Sequence, residues 1–391
     1  MIHRLARFGP TLTVPCFAAL ALAGVASAAA AAEDTTAGRL EQSDVFVSGR
    51  EGYHTYRIPS VIVTTRGSVL AFCEGRKTSS SDTGDIDLVL RRSTDGGKTF
   101  SKQEIVWDDG ANTCGNPCPV VERETGAVLL LLTRNLGKDE ESRIIAQKSK
   151  GTRTVWISKS ADDGLTWSRP VEITQDTKKP SWTWYATGPG AGIQLASGRL
   201  VVPCDHIEAG TRLFNSHVVY SDDRGATWKL GGTCGPGTNE CEVVQRADGS
   251  LLLNMRNYNR KHQCRAVGVS TDEGLTWSKP EYDETLIEPV CQASIRRFSL
   301  AEGGGKNRIL FSNPAQTGKR TTMTVRLSYD EGKTWPKGKV LHDGPAAYSC
   351  LAVLPDGTIL CLYERGQKHA YETIALARFN LAWLTEGKDK N

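Results

Sequence analysis

The sequence is short of charge imbalance, of metal-binding motifs and of membrane-length apolar runs, and each shortage removes a class of function. A formal net charge of +4 over 391 residues is too small for the broad basic face that holds nucleic acid. The seven histidines are scattered, and neither HExxH nor CxxC spacing occurs. No zinc site is written in such a chain, and no metal or other cofactor is expected. After residue 32 no stretch reaches the roughly 20 apolar residues of a spanning helix. With 39% hydrophobic and 24% charged residues the chain is not disordered either. What is abundant is glycine, with 39 copies, beside nine tryptophans. Glycine in such numbers means many turns, hence short strands rather than long helices.

The first residues read as an address. His3, Arg4 and Arg7 precede an apolar run from Leu12 to Val25, and a small-residue stretch from Ala26 ends before Glu33 and Asp34. This is the layout of a secretory signal over residues 1–32, so the mature chain is expected to be exported, either secreted or periplasmic. Thr13 and Pro15 interrupt the run, which argues against a membrane anchor. Export makes Cys114–Cys118 and Cys234–Cys241 candidate couples. Cys73, Cys204 and Cys361 lie inside apolar runs, where buried free thiols are the commoner state.

Two repeats decide the architecture. The octapeptide S-x-D-x-G-x-T-(W/F) begins at Ser93, Ser160, Ser221, Ser270 and Ser328, each time after an alternating strand-like run. Such a box reads as a hairpin tip: Gly frees the backbone, Asp and Ser or Thr bond the turn's own amides, and the aromatic ring plugs the core. It lacks the ligand series of a calcium loop. Independently, a pattern of apolar run, short turn and apolar run recurs six times, from PSVIVTTRGSVLAFCEGR to CLAVLPDGTILCLYERG. Together these give four-stranded units of about 50–60 residues, the size of a propeller blade. The chain is therefore expected to be all-β: a six-bladed β-propeller of four-stranded antiparallel blades. The propeller would span 44–385, between a linker at 33–43 and a tail at 386–391. A strand at Asp44–Ser48 would complete the last blade.

Strand alternation sorts residues by face. Starts of first strands, ends of second strands and starts of third strands share one face, and the boxes lie on the other. The first set brings Arg57, Asn116, Trp184, Tyr185, Glu240, Gln292 and Tyr348 together. The second adds Glu74, Arg76, Arg134, Asp205, His206, Arg256, Asn313 and Glu364; the third adds Asp82 and Arg320. Three arginines pointing inward are costly unless paired. A bound carboxylate is the simplest partner, because the guanidinium fork matches it in shape and charge. Arg91, Arg92, Lys178 and Lys179 read as solvated surface.

YRIP at Tyr56–Pro59, EGRKTSSSD at Glu74–Asp82, NMRN around Arg256, LYERG around Glu364 and the five boxes resemble the exo-sialidases of the secreted bacterial and animal lysosomal type. That resemblance runs from about Tyr53 to Leu384. It implies that Arg57, Arg256 and Arg320 grip a sialic acid carboxylate, with Glu364 orienting Arg57. It further implies Tyr348 as nucleophile, Glu240 as its base and Asp82 as acid/base. Arg76 would contact substrate, and Tyr185 and Asn116 would fall among contacts to the glycerol or acyl groups. The expected partners are sialylated glycans, on glycoproteins, glycolipids or oligosaccharides. The expected activity is exo-α-sialidase hydrolysis with retention. A sialic-acid-binding propeller without catalysis would need only the arginines. A trans-sialidase would add acceptor-site aromatics, for which Trp182 and Trp184 are candidates, although both also suit the core.

Overall fold

The structure, a computed structural model, describes residues 38–301, 305–336 and 338–389, together with Gly9. The expected secretory signal lies outside the described residues. Among the described residues no helix is long and apolar enough to cross a membrane.

Strand pairing follows the two repeats. The first group joins Thr55–Val63, Val69–Arg76, Ile86–Ser93 and Glu104–Trp107 in antiparallel order. The second joins Thr113–Val121, Val128–Asn135, Thr154–Ser160 and Val171–Glu172. A third is built on Trp182–Thr187, Leu200–Glu208, Phe214–Ser221 and Lys229–Cys234. Thr238–Gln245, Leu251–Asn257, Cys264–Ser270 and Glu281–Ile287 make the fourth. Ser294–Ser299, Arg308–Pro314 and Thr321–Ser328 take the first half of the long strand Lys339–Val353 as their fourth member. Its second half pairs with Ile359–Arg365, which pairs with Thr373–Phe379. The sixth group is then finished by Leu40–Val47, laid antiparallel on Thr373–Phe379. That strand begins four residues before the expected domain start, because the pairing there is carried by backbone and by polar side chains. Tyr363 Oη donates to Gln42 Oε1 at 2.5 Å, and Arg378 pairs with Glu41.

Burial explains the composition of each strand. Second strands such as Val128–Asn135 (VLLLLTRN) are buried along nearly their whole length, since both faces are covered by neighbouring groups, and they read as continuous apolar runs. Outer strands such as Glu281–Ile287 keep polar residues facing solvent. The ten cysteines among the described residues are all free and buried. Neither candidate couple is bonded, and these thiols serve as small apolar core residues.

The boxes join neighbouring groups. Gly225 has φ +84 and abuts Leu129 of the second group; Gly97, at φ +82, leaves a Cβ position only 2.7 Å from Leu376 of the sixth. A side chain at either glycine meets both a backbone penalty and a clash. Each box is held by its Asp. Asp223 Oδ1 accepts from the Ser221 hydroxyl at 2.8 Å and the Thr227 amide at 2.8 Å, and Oδ2 accepts from the Thr227 hydroxyl at 2.5 Å. These bonds hold its carboxyl down at about 2, and Asp95, Asp162 and Asp272 are likewise lowered to about 2. The folded value lies below the unfolded value of about 3.9, so this stabilisation is present above pH about 4 and lost as pH falls toward 2. Asp223→Asn should lower the melting temperature at pH 7 by a few degrees, about 1 kcal/mol for an exposed charge-assisted turn. The gap from the parent protein should close when both are melted near pH 2; an equal gap at both values would refute the assignment.

One surface expectation changes. Lys178 is buried: its ammonium donates to Thr152 Oγ1 at 2.6 Å, Arg153 O at 2.6 Å and Thr183 O at 2.8 Å, clasping the second group to the third. Burial, reinforced by the Arg153 charge, lowers it to about 7. The segment after Thr373–Phe379 turns into a short helix, Leu381–Thr385, capped by Asn380. The tail is also anchored, because Asp389 accepts from Arg308 Nε at 2.7 Å and from Tyr329 Oη at 2.9 Å.

Candidate active site

On the face opposite the boxes, the first-strand starts and second-strand ends enclose a cavity of about 230 Å³. At its floor the Tyr348 hydroxyl donates to Glu240 Oε1 at 2.6 Å. Arg256 Nη1 donates both to Glu240 Oε2 at 2.7 Å and to Tyr348 Oη at 3.1 Å. Tyr348 is 5% exposed. Burial, then the Glu240 charge, pushes its phenol well above the ordinary value, against the pull of Arg256, Arg320 and Arg57. The resting tyrosine is therefore neutral, with its proton aimed at a carboxylate.

Three arginines converge on this tyrosine. Arg57 and Arg320 lie over its ring, at 5.0 and 5.6 Å from the centroid, and Arg256 touches its hydroxyl. Arg57 Nε donates to Glu364 Oε1 at 3.0 Å and its guanidinium stacks on Tyr371 at 4.0 Å. Arg320 Nη1 donates to Tyr371 Oη at 3.2 Å. Arg57 Nη2 and Arg256 Nε have no hydrogen-bond partner among the described residues. Burial opposes the charges of Arg57 and Arg256, but Glu364 and Glu240 respectively raise both groups well above their ordinary value. Both stay cationic.

Asp82 stands at the rim, on an irregular loop, with its side chain 58% exposed. Arg76 Nη2 meets its Oδ1 at 2.7 Å and Arg57 Nη1 at 3.5 Å. Arg76 is fixed in turn by Glu74 Oε2, at 3.0 and 2.6 Å. Partial burial raises the Asp82 carboxyl, but Arg76 and Arg57 outweigh it and the net position is lowered.

Of the residues singled out in the sequence, Arg57, Arg76, Asp82, Asn116, Glu240, Arg256, Arg320 and Tyr348 line this one cavity. Glu364 stands behind it, fully buried. Tyr185 does not reach the cavity. A register shift between Trp182 and Tyr185 turns its ring into the core, where the hydroxyl meets His217 Nε2 at 3.1 Å, and Trp184 lines the cavity in its place. His206 is buried too, stacked on Trp182 at 3.4 Å. Arg134 points away to Asp109 at 2.8 Å.

Several lining residues were not singled out. Arg153, Phe214 and Tyr371 stand at or just before third-strand starts, the positions that select Asp82 and Arg320, so the same rule reaches them. Arg153 is fully buried, bonded to Thr133 Oγ1 at 3.0 Å and Asn135 Oδ1 at 3.1 Å, and stacked on Trp184 at 4.0 Å. Glu141 arrives on the short helix Glu141–Ile145, inside a loop whose sequence carries no periodic signal.

Comparison with known proteins gives one answer at three levels. The BNR repeat-like domain family matches residues 67–361. A curated sialidase of Micromonospora viridifaciens is 37% identical over 95% of this chain, and the chain spans 59% of that protein's length. An exo-alpha-sialidase of Aspergillus fumigatus is 34% identical, with 86% of each chain covered. Among solved structures, Hadza microbial sialidase Hz136 superposes with a TM-score of 0.80 at 32% identity, covering 88% of this chain and 69% of the other.

Proposed function

The chain belongs to the BNR-repeat sialidase family, and from that premise we propose that it is an exo-α-sialidase releasing terminal sialic acid from glycans by a retaining mechanism. The observation that carries the reading is the convergence of Arg57, Arg256 and Arg320 on a tyrosine already bonded to a carboxylate. The free donors on Arg57 and Arg256 suit the two oxygens of a carboxylate. A binding protein has no use for the tyrosine–glutamate pair.

Sialic acid bears its carboxylate on the anomeric carbon, so a carboxylate nucleophile would meet like charge; a neutral phenol does not. In the first step the Tyr348 oxygen bonds to the anomeric carbon as the glycosidic C–O bond breaks. The phenolic proton passes to Glu240 over its 2.6 Å hydrogen bond, and Asp82 protonates the leaving oxygen. In the second step water attacks the same carbon and gives its proton to Asp82. The C–O bond to Tyr348 breaks, and the phenoxide recovers its proton from Glu240. Two inversions give retention. Arg76 and Glu74 act as positioning residues for Asp82, and Glu364 for Arg57. Export follows from the charged start and apolar run of residues 1–32, which places the substrates among exposed glycoconjugates.

The test is turnover of an aryl α-sialoside as a function of pH. Asp82 must carry a proton to act as acid, and its free-protein position is lowered by Arg76 and Arg57. Accordingly kcat/KM should fall as pH rises from acidic to neutral, by up to about tenfold per unit. Substrate carboxylate draws on Arg57, which relieves Asp82, so the alkaline limb of kcat should lie at higher pH than that of kcat/KM. No release of sialic acid by folded protein between pH 4 and 8 would sink the proposal.

A further inference from the structure

Asp205 lies toward the end of the second strand of the third group, Leu200–Glu208, opposite Ala186 and Ser216 in the ladders on either side. It lines the cavity yet is only 1% exposed. Its Oδ1 accepts from Asn239 Nδ2 at 2.8 Å. Its Oδ2 has no hydrogen-bond partner among the described residues. A buried carboxyl oxygen left unbonded is unfavourable, and neither ladder neighbour supplies a donor to it. The steps assigned to Tyr348, Glu240 and Asp82 do not use this group.

We propose that Asp205 is a specificity-determining residue, its unpartnered Oδ2 hydrogen-bonding an oxygen on the half of the sugar remote from the carboxylate. This rests on the sialidase reading. With the carboxylate held by Arg57, Arg256 and Arg320 and the anomeric carbon at Tyr348, the acylamino and trihydroxypropyl arms fill the rest of the cavity. There Trp184, Ala186 and Phe214 offer apolar contact, and Asp205 offers a polar atom without a protein partner. The charged groups facing it are Glu240, Glu141, Arg256 and Arg153. Burial, then Glu240 and Glu141, raises its carboxyl well above the usual range, and the two arginines oppose this. Oδ1 already accepts from Asn239, so a proton on this carboxyl sits on Oδ2, from which Asp205 donates to the ligand. The shared chemistry is an oxygen acceptor, either a hydroxyl of the tail or the amide carbonyl of the acyl group.

The experiment compares the parent protein with Asp205→Asn and Asp205→Leu. It reads KM and kcat on an aryl sialoside across pH 5–8, and the Kd of an unsaturated sialic acid analogue. Asp205→Leu should raise KM and Kd about tenfold with a smaller change in kcat, the pattern of lost ground-state binding. Asp205→Asn keeps a donor and a near-identical shape, so it should stay near parental affinity. It should also lose any weakening of binding that the parent shows toward alkaline pH. A substrate whose tail is cut by periodate and reduced with borohydride to leave a seven-carbon sugar, and a substrate without its acyl group, identify the acceptor. The Leu variant should match the parent on whichever of the two lacks it. Matching on neither, or parental Kd and KM for Asp205→Leu on the intact sialoside, overturns the inference. If Asp205→Leu does not fold, Asp205→Ala takes its place, and parental Kd and KM in that variant overturn the inference instead. A parent protein that binds the analogue but releases no sialic acid fails the enzymatic reading and leaves the Kd comparison to decide on Asp205.

Discussion

Tyr348→Phe should abolish turnover of an aryl sialoside, lowering kcat by roughly a thousandfold or more, while the protein folds and still binds a sialic acid analogue. The ring is retained, and with it the faces on which Arg57 and Arg320 rest at 5.0 and 5.6 Å. Only the hydroxyl goes, with its 2.6 Å bond to Glu240 and its 3.1 Å bond from Arg256. Glu240 keeps Arg256 at 2.7 Å, so no buried charge is stranded and the stability cost should stay near 1 kcal/mol. Calorimetric titration with the analogue, set beside kcat, separates the outcomes. Full activity in the variant would remove Tyr348 as nucleophile; lost binding would make it part of the grip instead.

Glu364→Gln should be destabilising by about 3 kcal/mol or more, and should weaken substrate binding in the fraction that folds. The carboxylate is fully buried and receives three donors: Arg57 Nε and the Ile58 amide on Oε1, each at 3.0 Å, and the Tyr348 amide on Oε2, also at 3.0 Å. Glutamine supplies one acceptor oxygen. Whichever way the amide is turned, its NH₂ confronts a donor, and Arg57 loses the counter-charge that holds it cationic in a desolvated place. Urea denaturation measures the first effect and KM the second. Parental stability would mean that Arg57 is held by Tyr371 and Asp82 rather than by Glu364.

Most of the fold and much of the cavity were legible in the sequence, for a physical reason. Box and hairpin repeats fix where strands begin and end, and strand direction then assigns each terminus to a face, which groups Arg57, Glu240 and Tyr348 from the sequence alone. What escaped depends on features without a period. Tyr185 and Trp184 exchange places because of one register shift. Glu141 rides on a five-residue helix in an irregular loop. Lys178 looks like surface charge, and only the packing of two groups around it leaves its ammonium with Thr152, Arg153 and Thr183 oxygens alone. Asp205 could be put on the right face, but its unused oxygen is visible only when neighbouring side chains are in place.

The pairing of Leu40–Val47 with Thr373–Phe379 bears on when this protein can finish folding. Gln42 and Tyr363, joined at 2.5 Å, lie 321 residues apart in the chain. This strand, the first among the described residues, therefore waits, edge open, until nearly the whole polypeptide is available. Loop closure over such a span is slow, and an open edge in the meantime invites pairing with other chains. In a chain threaded through a membrane from its N-terminus, that edge strand would emerge ahead of the strands it completes. It could adopt its final arrangement only on the far side, once the other end had followed.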